Sequence, residues 1–201
     1  MSPRGSRLAV PDRVRWAVEV LDPGPAETIL EIGCGPGVAA ALVCERLETG
    51  RLLAVDRSPV AIRRTAQRNA AHIALGRLAV RESALDALVV PSHTFDKAFA
   101  INVNLFWVRS PSRELEVLSQ ALRPNGILHV LYGAAQPAAA ERITSSVSTA
   151  FSAHGFTAVT IISGKSGVGV SARVLATNSA ELATHSGATP DSGGGVQHAK
   201  R

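Results

Sequence analysis

Two kinds of apolar pattern alternate along this chain. Short, nearly continuous runs that fill a strand buried on both faces occur at ILEI (29–32), RLLAVD (51–56), Arg77–Glu82, FDKAFAIN (95–102), ILHVLYG (127–133), TAVTIIS (157–163) and VGVSARVLAT (168–177). Between them lie stretches with apolar positions at helical spacing. PDRVRWAVEVLD (11–22) carries Val14, Ala17, Val18 and Leu21 on one face, with Pro11 at its start and Asp22-Pro23-Gly24-Pro25 as its stop. VAAALVCERL (38–47), residues 59–72, Ser112–Leu122 with Leu115, Leu118 and Leu122 on one face, and Pro137–His154 read the same way. Arg123, Pro124, Asn125 and Gly126 turn the chain into the fifth strand. The link Gly164–Gly169 is short enough for a hairpin, so the last strand is expected to run antiparallel.

At 201 residues and 46% hydrophobic, the chain fits one domain with a full core. That domain is expected over residues 1–177, with the residues before the first helix as a short lid. From Asn178 the composition turns to Ser, Gly, Ala and Thr, with GGG at 193–195, which predicts a disordered tail over 178–201. No run of eighteen apolar residues occurs and MSPRGSRLAVPDR lacks the apolar centre of a signal peptide, so a cytoplasmic protein without membrane contact is expected. Cys34 and Cys44 fit free thiols. His185 and His198 have no partners at metal-ligand spacing, and no metal site is expected.

Charge changes this picture little. The net charge is +5, and six arginines with no acid run from Arg57 to Arg81 (Arg57, Arg63, Arg64, Arg68, Arg77, Arg81). With one tyrosine and two tryptophans in the whole chain there is no aromatic interleaving to stack bases, so a solvated helix face is favoured over a nucleic-acid partner.

The candidate chemistry sits where the first strand meets the first turn. In ILEIGCGPG, Gly33, Gly35 and Gly37 follow the strand at alternate positions. Without Cβ atoms such a loop turns with positive φ, is expected to bring its N–H groups against a ligand, and hands over to a helix whose positive end faces the loop. A dinucleotide fingerprint needs its third glycine at position 38, which is Val38 here. Asp56 ends the second strand nineteen residues after Gly37, where an acceptor-only carboxylate receives both hydroxyls of a ribose. Ser58 as N-cap with Pro59 at the first helical position leaves Asp56 free for that task.

Glu31, Gly33, Gly35 and Gly37 together match (D/E)xGxGxG, and here the chain resembles the Rossmann-like class of S-adenosylmethionine-dependent methyltransferases. The FD at Phe95-Asp96, the LRPNG turn (similar to the family's LxPGG) and the terminal hairpin extend the resemblance over about residues 10 to 177. It implies a doubly wound α/β fold: a mostly parallel seven-stranded sheet with an antiparallel terminal hairpin strand and helices on both faces. It also implies S-adenosyl-L-methionine as cofactor, bound by Glu31, Gly33, Cys34, Gly35, Gly37, Asp56, Arg57, Ser83, Ala84 and Asn102. Ser83 stands where the family usually has an Asp for the adenine amine. The prolines of a (D/N/S)PP(Y/F) motif are missing after Asn102, which argues against amino-methylation of bases.

The activity implied is methyl transfer to a small-molecule acceptor by in-line displacement. Alternatives are an RNA or protein methyltransferase using the arginine-rich face, and a non-catalytic cofactor-binding subunit. Tyr132 and Asn102 are the candidate catalytic residues, with Asn104 as a second orienting group and Phe106 and Trp107 as an apolar acceptor pocket. His129 reads as packed under a helix and satisfied there. His93 and His154 precede strands and so lie at the opposite end of the sheet.

Overall fold

The computed structural model describes residues 10–175, so the expected lid before the first helix and the tail from Asn178 lie outside the described residues. In chain order the elements are α1 (Asp12–Leu21), β1 (Thr28–Ile32), α2 (Val38–Arg46), β2 (Arg51–Asp56), α3 (Pro59–Arg68), α4 (Ala70–Ala74), β3 (Leu78–Glu82), β4 (Phe95–Ile101), α5 (Leu105–Val108), α6 (Ser112–Ala121), β5 (Leu122–Gly133), α7 (Pro137–Ala153), β6 (Phe156–Gly164) and β7 (Gly167–Val174). One seven-stranded sheet runs in the order β3-β2-β1-β4-β5-β7-β6. Its strands pair in parallel except for β7, which is antiparallel to both β5 and β6, as the short glycine-rich link requires. No helix among the described residues is long and apolar enough to cross a membrane.

Side chains alternate across the sheet, and each face has its own core. Ile29 and Phe99 pack with Val14, Val18 and Leu21 of α1 and Val43 and Cys44 of α2. Leu30, Ala98 and Leu128 pack on the other face with Leu115 and Leu118 of α6 and Val147 and Phe151 of α7. All four apolar positions read as the inner face of the first helix are buried. Because β1 leads outward to β2 and β3 while β4 leads the other way, the strand order reverses between β1 and β4. The carboxyl ends of those two strands therefore border a crevice, the place where open parallel sheets bind ligands.

Two expected boundaries shift. The helix expected over 59–72 is two helices broken at Asn69, whose backbone leaves the helical region (φ −111°, ψ 23°). Its amide is buried and its Nδ2 donates to Thr65 O (2.9 Å) and to Gly37 O (3.0 Å), so tertiary bonding to the glycine loop overrides helix propensity there. The fifth strand begins at Leu122 rather than Ile127. Leu122 already pairs with Phe95, and the register then jumps so that Lys97 meets Ile127, which makes 123–126 an irregular excursion within the strand, with Asn125 at φ +63°. Ser58 caps α3 as expected: its Oγ accepts from Ala61 N–H at 3.3 Å, with Pro59 in the first turn.

Candidate functional site

A cleft of about 660 Å³ opens at the carboxyl ends of β1, β2 and β4. Of the glycine loop, Gly33 lines this cleft while Cys34, Gly35 and Gly37 lie outside its lining, and all three glycines take positive φ: Gly33 +72°, Gly35 +53° and Gly37 +73°. The loop's N–H groups are not presented to a ligand, contrary to the expectation from sequence. Gly33 and Cys34 N–H both donate to Val55 O (2.8 and 3.1 Å), Gly35 N–H donates to Asp56 Oδ2 (3.0 Å), and Gly37 N–H donates to Cys34 O (2.9 Å). The carbonyls are tied as well: Thr65 Oγ1 donates to Gly35 O (2.9 Å), Arg68 Nε to Pro36 O (2.8 Å) and Asn69 Nδ2 to Gly37 O. Satisfied on both sides, the loop is locked between β2 and α3 before any ligand arrives. What it offers a ligand is bareness. A Cβ at Gly35 would meet nothing within 4 Å, so the backbone there faces open space.

Asp56 is less free than expected. Its Oδ1 accepts from Ser58 N–H (2.9 Å) and its Oδ2 from Gly35 N–H. A carboxylate has acceptor capacity for about four hydrogen bonds, so an acceptor position is left on each oxygen where Asp56 lines the cleft. These two internal bonds fix the plane of the carboxylate.

Of the other candidates, Gly33, Arg57, Ser83, Ala84, Asn102 and Asn104 line the cleft. Ser83 N–H donates to Asp56 O (3.0 Å), and its hydroxyl donates to Ala84 O (2.8 Å). Asn102 holds φ +57°, and its Oδ1 accepts from Gly133 N–H at 2.9 Å, which ties the end of β4 to the end of β5. Cys34 is buried against Thr65, its Sγ 3.4 Å from the Oγ1 that donates to Gly35 O, and burial pushes the thiols of Cys34 and Cys44 up to about 12.

Tyr132 is not in the cleft lining. It is buried, its hydroxyl donates to Val103 O at 2.8 Å, and burial raises its pKa further above its already high ordinary value. The group read as a substrate contact is a strut beneath the loop after β4. Phe106 is fully buried in the core, and with Trp107 it borders a separate hollow of about 270 Å³ beside α7, not the main cleft. The apolar part of the cleft near β4 comes instead from Val103, Leu105 and Val108. His129 is only half satisfied: Nδ1 meets Ser171 Oγ at 2.6 Å, while Nε2 is buried without a partner.

Glu31 lies under the loop, on the α2 face of β1, in register with Ala54 and Phe99. Its Oε2 has no partner, and burial, with the Asp56 charge adding to it, raises its pKa to about 8. Burial, with the charges of Lys97 and Arg173 adding to it, lowers His129 to about 4. A carboxyl raised in the fold binds its proton more tightly there than in the unfolded chain, so Glu31 makes stability fall as pH rises from 4.5 to about 8. A lowered histidine does the reverse, so His129 makes stability rise from pH 4 to 6.5. The two slopes oppose each other between pH 4.5 and 6.5, and only the Glu31 slope remains above. Stability should therefore drop between pH 6.5 and 8 by about 2 kcal/mol, a fall in melting temperature of ~4–8 °C, and Glu31→Gln should flatten that drop. An unchanged slope in the variant would show that another group titrates.

The sequence did not flag Asp86, Arg109 or Glu114, which also line the cleft. Arg109 and Glu114 form an ion pair through both guanidinium Nη atoms, across the turn that opens α6. An arginine and a glutamate flanking Ser110-Pro111-Ser112 were the available signal. Two members of the arginine run have backbone partners: Arg68 at Pro36 O and Arg81, whose Nη1 donates to Val89 O at 2.9 Å.

The family model described as a methyltransferase domain matches residues 29–126. Trans-aconitate 2-methyltransferase of Azoarcus sp. is 32% identical over 122 residues, which cover 59% of this chain and 45% of that protein. Protein-L-isoaspartate O-methyltransferase of Methanopyrus kandleri is 40% identical over 57 residues, 28% of this chain and 25% of that one. The chain thus spans less than half the length of these relatives. Among solved structures, a SAM-dependent methyltransferase from Aquifex aeolicus superposes with a TM-score of 0.69 at 20% identity, covering 85% of this chain and 94% of that one. Geranyl diphosphate C-methyltransferase from Streptomyces coelicolor does so with a TM-score of 0.64 at 13% identity, covering 81% and 78%. At such identities these superpositions speak for the fold.

Proposed function

From the premise that residues 29–126 are a methyltransferase domain, carried on the Rossmann-like class I fold, we propose that this chain binds S-adenosyl-L-methionine in the cleft and directs its methyl group onto a small-molecule acceptor. The observation that carries the reading is the Asp56 carboxylate, held at the end of β2 by Gly35 and Ser58 N–H with acceptor capacity left over, next to the open backbone of Gly35. The fit is consistent with an adenosyl group: Asp56 would receive the ribose hydroxyls, and Ser83, Ala84 and Leu85 would border the adenine. The bare backbone at Gly35 would take the amino-acid portion by close approach. When bound there, the cofactor would supply a methyl group already activated on a sulfonium, with the thioether as its leaving group.

The chain's task is then alignment and exclusion of water. Val103, Leu105 and Val108 supply an apolar wall on the acceptor side, and Asn102, braced on Gly133, and Asn104 supply amides for orientation. Among the described residues lining the cleft, the side chains with the chemistry of a general base are the carboxylates of Asp56, Asp86 and Glu114. Asp56 is assigned to the ribose and Glu114 is paired with Arg109, which leaves either Asp86 as the carboxylate open to that role or an acceptor that arrives with its own electron pair available.

Calorimetric titration with S-adenosylmethionine, S-adenosylhomocysteine and NAD tests the reading. Saturable binding of the two adenosyl compounds and none of NAD is expected; NAD binding, or no adenosyl binding, would overturn it. Once an acceptor is in hand, Tyr132→Phe should leave the transfer rate within about twofold and lower stability by about 1 kcal/mol, since only the bond to Val103 O is lost. A rate loss of a hundredfold would return the phenol to the reaction.

A further inference from the structure

Arg109 and Glu114 form a polar cluster in the lining of the cleft. Glu114 lies in the first turn of α6 with 2% of its side chain exposed, while the Arg109 side chain is 53% exposed. A buried carboxylate is costly unless paired, and here the pairing is two-pronged: Oε1 accepts from Nη2 and Oε2 from Nη1, at 3.3 Å for the latter. Ser110 O accepts a further bond from Nη1 at 3.2 Å.

A guanidinium has five N–H donors in a fixed plane. Glu114 takes the end formed by Nη1 and Nη2, and Ser110 takes the outer side of Nη1. What is left is the Nε–H and the outer Nη2–H, which point to the same side and form the second fork of the group. Among the described residues neither proton has a partner. This fork matches a planar carboxylate in two parallel bonds. It belongs to a side chain already immobilised by its other end, so ordering it costs little further entropy. Arg109 lines the cleft together with Asn104, Leu105 and Val108.

We propose that Arg109 is the anchor of the acceptor, and that the acceptor is a small organic acid whose carboxylate docks on the Nε/Nη2 edge of the guanidinium while Glu114 holds the other edge. This rests on the cleft being the methyl-transfer site proposed above. Asp86, in the turn Leu85–Ala87 that packs against α6, places its charge within reach of Arg109 and bears a like charge to the acid, which limits the acid's size and placement: the carboxylate has to sit on Arg109 and the uncharged part has to lie along Val103, Leu105 and Val108. The docked carboxylate is not the methylated group, because two charge-assisted bonds lower the nucleophilicity of both its oxygens and hold it at the guanidinium. A second nucleophilic group on the acid reaches the methyl.

The test is a binding measurement on protein saturated with S-adenosylhomocysteine. Succinate, glutarate, citrate and benzoate are titrated calorimetrically against succinamide, glutaramide, citramide and benzamide. At least one acid should bind about ten- to a hundredfold more tightly than its amide, the range that losing a charge-assisted bond implies. Arg109→Lys, which keeps the charge but not the fork, should lose most of that preference. The double variant Arg109→Gln/Glu114→Gln leaves no charge stranded in α6; it should keep its S-adenosylhomocysteine affinity within about twofold and lose the preference altogether. The proposal is overturned if no acid is preferred while S-adenosylhomocysteine binds, or if the preference survives in the double variant. Failure of S-adenosylhomocysteine itself to bind removes the underlying reading, and the proposal falls with it.

Discussion

Asp56→Ala is expected to weaken binding of S-adenosylhomocysteine by at least about a hundredfold, to the edge of calorimetric detection. Two ribose hydroxyls lose a charged acceptor, and each such bond is worth about 1.5–3 kcal/mol, so their joint loss corresponds to about two to four decades of affinity. The same substitution frees Gly35 N–H and Ser58 N–H, so the glycine loop and the start of α3 lose their common tether. Asp56→Asn separates these effects. Its single carbonyl oxygen can keep one of the two backbone bonds and still receive one hydroxyl, so affinity should fall between the wild type and Asp56→Ala. Near-ultraviolet circular dichroism on each variant checks that the fold is intact. Wild-type affinity in a folded Asp56→Ala protein would mean that the adenosyl group does not sit at the end of β2.

What the sequence made legible was whatever depends on local pattern. The run of strands and helices, the α1 inner face of Val14, Ala17, Val18 and Leu21, the Ser58-Pro59 start of α3 and the antiparallel last strand all follow from periodicity, capping and loop length, and all are present. Asp56 was legible because its position at a strand end after a glycine turn is a local fact. What depends on partners distant in sequence was not. The glycine loop read as a set of donors for a ligand, yet Val55 O, Asp56 and the first loop carbonyls take those donors, and only the paired sheet shows it. Asn69 read as one more helical residue, and its bond to Gly37 O, thirty-two positions back, breaks the helix. Tyr132 read as facing a substrate because it ends a strand, but the loop after β4 covers it and takes its hydroxyl. The acceptor side shows the same limit, since Arg109 and Glu114 mean little until α5 and the α6 turn bring them to the cleft that begins at residue 32.

Gly37 and Gly35 should separate stability from ligand binding within one loop. Both have positive φ, so alanine at either costs about 1–2 kcal/mol in backbone strain alone. At Gly37 a Cβ would also lie 2.6 Å from Asn69 Nδ2, 2.8 Å from Thr65 Cα and 2.9 Å from Thr65 Cγ2. Thr65 and Asn69 are the residues that hold the loop carbonyls, so relief of the clash has to push α3 away and break the bonds at Gly35 O and Gly37 O. Gly37→Ala should therefore cost about 4 kcal/mol or more, a fall in melting temperature of about 8–16 °C for a domain of this size. Gly35→Ala meets no protein atom within 4 Å, so its stability cost should stay near the strain term and its melting temperature within about 2–8 °C of the wild type. Its methyl group projects instead into the space where the ligand is proposed to approach the backbone, and S-adenosylhomocysteine affinity should fall by about tenfold or more at a temperature where the variant is fully folded. A Gly35→Ala protein with wild-type affinity would show that the cofactor does not pass over that residue. One as unstable as Gly37→Ala would show that the loop is packed on its outer side too.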